Sequence, residues 1–111
     1  MSGPPPRLPT RVWVQAQVRL CDSKFITIAI VNRGDNEAGA VLLRLLRGSG
    51  VNLLLRRYTQ LDGTAEWVIV PTGEPVDDNT ADTQISRALE HDPDLWVLEV
   101  EDPEEKYWPE G

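Results

Sequence analysis

Residues Phe25-Ile26-Thr27-Ile28-Ala29-Ile30-Val31-Asn32 form an almost unbroken apolar run rich in β-branched side chains. A run of this length falls far below the roughly 20 residues that span a bilayer. It suits a strand buried on both faces, so it reads as a central strand. Polar, glycine-bearing segments then alternate with further apolar runs. Arg33-Gly34-Asp35-Asn36-Glu37 is a turn before Ala40–Leu46, Gly48-Ser49-Gly50 breaks that strand, and Val51–Thr59 follows. Asp62-Gly63 is a hairpin turn leading into Thr64–Val70. Three successive turns of this kind predict an antiparallel meander.

Beyond Pro71–Pro75, Asp77 or Asp78 is placed to cap a helix whose apolar stripe is Ala81, Ile85, Ala88 and Leu89. Asp92-Pro93 ends it, because the residue before proline avoids helical geometry. Leu95–Glu101 is the last strand, with Trp96, Leu98 and Val100 on its core-facing side. Upstream, residues 11–21 admit two readings. Val12, Val14, Ala16, Val18 and Leu20 alternate as in a strand, whereas Val12, Trp13, Ala16 and Leu20 share a helical face behind a Thr10 cap. The alternation leans slightly toward a strand. The expected architecture is therefore α+β: a mainly antiparallel five- or six-stranded sheet, one covering helix over about 77–91, and a helix or strand over about 11–21. Residues 1–9 read as a disordered Pro-rich tail, 10–102 as a single domain, and 103–111 as an acidic, aromatic C-terminal tail.

The chain has 111 residues, enough for one modest core. Its single cysteine, Cys21, excludes an intramolecular disulfide, and with His91 as the only histidine a zinc site of Cys/His type has too few ligands. No metal and no cofactor is expected. The opening residues lack a secretory apolar segment, so a cytoplasmic location is expected and no membrane partner. The net charge of −7 is unevenly spread. Residues 1–58 carry nine Arg/Lys against Asp22, Asp35 and Glu37, and the remaining residues carry Arg87 and Lys106 against fifteen acids. Basic and acidic faces packing together within the fold explain this, and a surface that orients a partner or second copy is the alternative.

Several features resemble a family already described. They are Arg33-Gly34-Asp35 with Ala38-Gly39-Ala40-Val41, the Leu61-Asp62-Gly63 turn, and above all the ending Asp92-Pro93-Asp94-Leu95-Trp96-Val97-Leu98-Glu99-Val100-Glu101-Asp102. These are similar to an alphaproteobacterial family of proteins of unknown function, number 1491 of that class, about this long. The resemblance implies a bacterial, single-domain, cytoplasmic protein, and it implies no activity, substrate or catalytic residue.

Four groups of residues carry chemical interest. Arg33, Asp35 and Glu37 place a guanidinium beside two carboxylates, as a small polar ligand or a hard cation would require, although the same residues make an ordinary turn. His91 beside Asp92 and Asp94 has the makings of a general base, against a plainer role at a helix end. Arg44, Arg47, Arg56 and Arg57 would form a basic stripe if they shared one sheet face, but stacking aromatics are sparse and the acid excess repels polyanions, so nucleic acid is not an expected partner. A solvated sheet face, or one paired with the acidic helix, is the favoured reading, and Glu99 and Glu101 lie on a polar face that could meet those arginines. Trp67 and Trp96 read as core. Trp13, Tyr107 and Trp108 are candidates for a partner surface, and folding back over the sheet is an equal alternative for the outlying tryptophans. With no catalytic set in view, the favoured function is a non-catalytic, self-associating interaction module binding itself or another protein. The alternatives are a ligand-binding protein or enzyme using Arg33, Asp35 and Glu37, and a weak nucleic-acid binder using the Arg44–Arg57 face.

Overall fold

A computed structural model describes residues 8–110. The Pro-rich tail expected over residues 1–9 lies almost wholly outside the described residues. The element order is α1 (Thr10–Ser23), β1 (Thr27–Asn32), β2 (Val41–Gly48), β3 (Val51–Thr59), β4 (Ala65–Val70), α2 (Asp78–His91) and β5 (Trp96–Glu101). The five strands form one sheet in the order β1-β5-β2-β3-β4.

This arrangement keeps the α+β class but corrects the topology. The expected meander exists only from β2 to β4, where Ser49-Gly50 and Gln60–Thr64 close two antiparallel hairpins. Gly48, Gly50 and Gly63 all have positive φ there, the backbone conformation for which these turns select glycine. The sheet as a whole is mixed: β5 runs parallel to β2 and antiparallel to β1. A parallel pair requires a crossover, and α2 supplies it by carrying the chain back across one sheet face. The Arg33–Glu37 segment is thus a link between strands separated by β5, rather than a hairpin turn.

The strand taken as central, β1, is an edge. Residues Thr27, Ala29, Ile30 and Val31 are exposed, whereas the runs Val41–Leu45 and Leu95–Leu98 are buried. Both central strands are covered on two faces, which is why each reads as a continuous apolar run. On one face Val41, Leu43, Leu45, Leu55, Trp96, Leu98 and Val100 pack against α1, and on the other Leu42, Leu54, Leu95 and Val97 pack against Ala81 and Ile85 of α2. Two helices therefore sandwich the sheet, the expected one over 77–91 and the segment 11–21, for which the sequence leaves helix and strand both open.

The segment 11–21 is helical, against the lean toward a strand. Its buried stripe is Thr10, Trp13, Val14, Gln17 and Cys21, spaced as a helix requires, while Ala16 and Leu20 face solvent. Pro9 occupies the cap position with no side-chain cap, and Thr10 is the first helical residue. The helix ends in a Schellman turn: Ile26 N–H donates to Cys21 C=O and Phe25 N–H to Asp22 C=O. That turn needs a left-handed residue, usually glycine, and here Phe25 holds it at φ 58°.

Asp77 caps α2, accepting from Thr80 N–H at 2.7 Å. The two hydrogen bonds from Thr80, backbone first, hold the Asp77 carboxyl below its usual range. Residues 102–110 lie along the sheet: Tyr107 is buried, and Trp13 Nε1 donates to the Glu110 carbonyl at 2.8 Å.

Candidate functional site

The Arg33–Glu37 loop, which links β1 to β2, is built against the starts of β5 and α1. Asp35 N–H donates to the Asp94 carbonyl, and the Asp35 carbonyl accepts from Trp96 Nε1 at 2.7 Å. The Asp35 carboxylate turns back on its own loop, accepting from Ala38 N–H at 2.8 Å and Glu37 N–H at 3.2 Å. The carbonyls of Asn36 and Glu37 accept from Arg11 N–H and Thr10 N–H, so the loop satisfies donors that the uncapped start of α1 would leave orphaned. A Cβ at Gly34 or Gly39 would run into the Asp94 backbone and the edge of the Trp96 ring.

Arg33, Asp35 and Glu37 consequently do not converge. The Arg33 guanidinium lies over the Trp96 ring, 5.2 Å from its centroid. Glu37 faces a different hollow, beside Leu8, Thr10, Arg57 and Thr59, and pairs with Arg11 at 4.0 Å. His91 lies on the α2 side of the sheet, in a hollow with Leu42, Arg56, Tyr58 and Pro71. It occupies the last turn of α2, and Asp92 accepts from Asp94 N–H, as expected of a helix stop. Cys21 is buried; burial first, then Asp102 and Asp22, push its thiol pKa up, away from the reactive thiolate.

The four arginines of the supposed stripe are divided by strand alternation. Arg44 and Arg56 face α2, while Arg47 and Arg57 face α1. Arg44 is the hub of a polar knot. Its Nε donates to Asn52 Oδ1 at 2.9 Å, and its Nη atoms reach Asp82 at 2.8 Å, Glu99 at 3.1 Å and Asp78 at 3.4 Å. Arg44 thus meets the acidic helix and Glu99, while the shared basic face is not formed. Asn52 is buried and also donates to Asp78 and the Val76 carbonyl, a role no local motif announced. Arg47 meets the buried Asp102, which accepts from Lys106 N–H and Tyr107 N–H, so the C-terminal segment is tied down by charge.

Of the aromatics expected at a partner surface, two lie inside. Trp13 stacks on Trp67 at 5.3 Å with the Arg57 guanidinium 5.7 Å from each ring, and Tyr107 Oη donates to Gln17 at 2.7 Å. Trp108 remains exposed.

A cleft combining apolar lining with charge runs between α1 and β1, with a volume of about 350 Å³. Val14, Val18, Ile30 and Trp96 line it, and Arg11, Gln15, Arg19 and Arg33 rim it. Arg11, Gln15 and Arg19 are four residues apart along one helix edge, a spacing invisible while a strand was favoured. Among the described residues, neither Arg19 nor Arg33 has a carboxylate within ion-pair distance. No helix among those residues is long and apolar enough to cross a membrane.

Fold and site define a small three-layer α+β protein with an arginine-rimmed cleft, in which the candidate acids, base and thiol stand apart. The chain belongs to the family of proteins of unknown function DUF1491, whose model matches residues 8–108. This agrees with the resemblance in the loop and ending motifs. The chain is similar to a DUF1491 family protein from Caulobacter crescentus CB15 seen in a crystal structure, at 32% identity over 87% of this chain and 90% of that chain, with TM-score 0.79. An NMR structure of a DUF1491 family protein from the same bacterium matches at 31% identity, 87% of each chain and TM-score 0.77. Protein Atu0922 from A. tumefaciens shares the fold at 23% identity, 86% of each chain and TM-score 0.71. No curated protein matches the chain.

Proposed function

We propose that this protein is a non-catalytic interaction module that self-associates through the open edge of β1. The observation that carries this reading is the chemistry of that edge. Sheet edges are ordinarily guarded by charge, proline, a bulge or a covering element, and β1 has only an irregularity in register between Ile30 and Asn32. The strand Thr27-Ile28-Ala29-Ile30-Val31-Asn32 contains no charge and no proline, and it pairs only with β5. Immediately before it stands Phe25, 97% exposed and held at positive φ. A bulky side chain in that conformation costs about 1 kcal/mol or more relative to glycine. Phe25 recovers nothing by burial within one chain, and contact with a second would offset that cost. Two copies related by a two-fold axis would pair β1 with β1 and extend the sheet. The dispersal of His91, Cys21, Asp35 and Glu37 supports the non-catalytic part of the reading.

Sedimentation equilibrium tests it. The wild-type chain should approach twice 12.4 kDa as concentration rises. Ala29→Lys, which sets like charges across the axis, should stay at 12.4 kDa while remaining folded. A wild-type chain that is monomeric at every concentration, or an Ala29→Lys chain that associates equally well, would overturn the proposal.

A further inference from the structure

We infer that the cleft between α1 and β1 is a binding site for a small organic anion, a carboxylate or phosphate ester borne on a flat apolar body. Three observations meet there. The cleft volume of about 350 Å³ lies within the range of small-molecule sites. Its lining is largely apolar: Val18 and Ile30 form the accessible walls, with Val14 and Trp96 beneath. Its rim is cationic from both sides, with Arg11 and Arg19 on the helix edge and Arg33 at the end of β1.

A chain of net charge −7 presents three arginines around one concavity, and Glu37, 4.0 Å from Arg11, is turned toward a separate hollow. Two arginines elsewhere are neutralised, Arg44 by three carboxylates and Arg47 by Asp102 and Glu105. Arg33 is also restrained, since its guanidinium rests over the Trp96 ring, which lowers the entropy lost on gripping an anion. The apolar walls require more than inorganic phosphate, and the rim requires more than a neutral hydrocarbon.

The proposal is independent of self-association, because every lining residue comes from one chain. Isothermal titration with 2-naphthoate and 2-naphthyl phosphate, alongside neutral 2-naphthalenemethanol and inorganic phosphate, reads the affinity. The ¹⁵N–H signal of the Trp96 indole reads the place. At least one naphthyl anion should bind saturably and shift that signal. The neutral compound and bare phosphate should each bind about tenfold more weakly or worse. The relative strength of the two anions distinguishes a carboxylate ligand from a phosphate ester. Arg19→Glu, on an exposed helix position, and Arg33→Gln should each weaken anion binding about tenfold, with folding checked by circular dichroism. Binding should persist in the Ala29→Lys chain. Absence of saturation by either anion up to about 5 mM, equal binding of the neutral compound, undiminished affinity in Arg19→Glu, or loss of binding in Ala29→Lys would each overturn the proposal.

Discussion

Trp96 Nε1 donates to the Asp35 carbonyl at 2.7 Å, joining the start of the last strand to a loop 61 residues earlier. The contact works because the two glycines flanking Asp35 let the loop backbone lie against the indole and the Asp94 carbonyl. Neither glycine has positive φ, so the requirement is one of space rather than of backbone conformation. Gly34→Ala and Gly39→Ala should each destabilise the fold by about 2 kcal/mol or more, the cost of forcing a methyl group into backbone. Urea unfolding measures this directly. Tolerance of either substitution would mean that the loop does not seat on Trp96 as described.

The Arg44 knot should behave as a unit. Asn52→Ala removes the acceptor for a guanidinium whose side chain is 9% exposed, and should cost about 2 kcal/mol. Arg44→Ala should cost a similar amount, about 2 kcal/mol, because it also leaves Asp78, Asp82 and Glu99 unneutralised around one point. The double variant should lose less than the two single costs combined, by about 1 kcal/mol, since both changes disrupt the same contacts. Strict additivity in denaturant unfolding would contradict the shared network.

Which parts of this molecule its sequence disclosed follows from how local their signals are. The β2–β3–β4 hairpins rest on Ser49-Gly50 and Asp62-Gly63, and α2 rests on the Asp77 cap and the Asp92-Pro93 stop, all readable within a few residues. The insertion of β5 between β1 and β2 depends on pairing across the whole chain, and no short motif encodes it. In α1 the buried stripe contains Thr10 and Gln17, while the apolar Ala16 and Leu20 face water, so the helical period is blurred and a chance alternation stands out. The cleft shows the same division. Arg33 stands beside Asp35 and Glu37 in sequence, but its companions in space are Arg11 and Arg19, which only the helix aligns with it.

Alkaline titration gives a further check. The Tyr107 phenol, ordinarily ionising near 10, is pushed well above that by burial and by neighbouring Cys21. The Cys21 thiol, ordinarily near 9, is raised by burial and by Asp102. Both groups are neutral in the fold at a pH where the unfolded chain would ionise them. Their contribution to stability is complete below the unfolded values and is lost as pH climbs past 9 and then 10 toward the folded values. Stability should therefore fall with rising pH above about 9, and Cys21→Ala/Tyr107→Phe should flatten the decline. A slope unchanged by the double substitution would assign alkaline unfolding to other groups.

Phe25 separates what the single chain needs from what a pair of chains needs. Phe25→Gly relieves a left-handed aromatic residue at the end of α1 and should raise the stability of the isolated chain by about 1 kcal/mol. The same change should weaken self-association, read as a shift of the sedimentation midpoint to higher concentration. Destabilisation of the isolated chain, or association of unchanged strength, would remove Phe25 from the interface.

Hydrogen exchange of the β1 amides, followed residue by residue by NMR across a concentration series, addresses the edge itself. Self-association through β1 predicts that those Thr27–Val31 amides directed away from β5 exchange rapidly at low concentration and become protected as concentration rises, while amides of the central strands β2 and β5 stay protected throughout. Exchange along β1 that is independent of concentration would contradict the account.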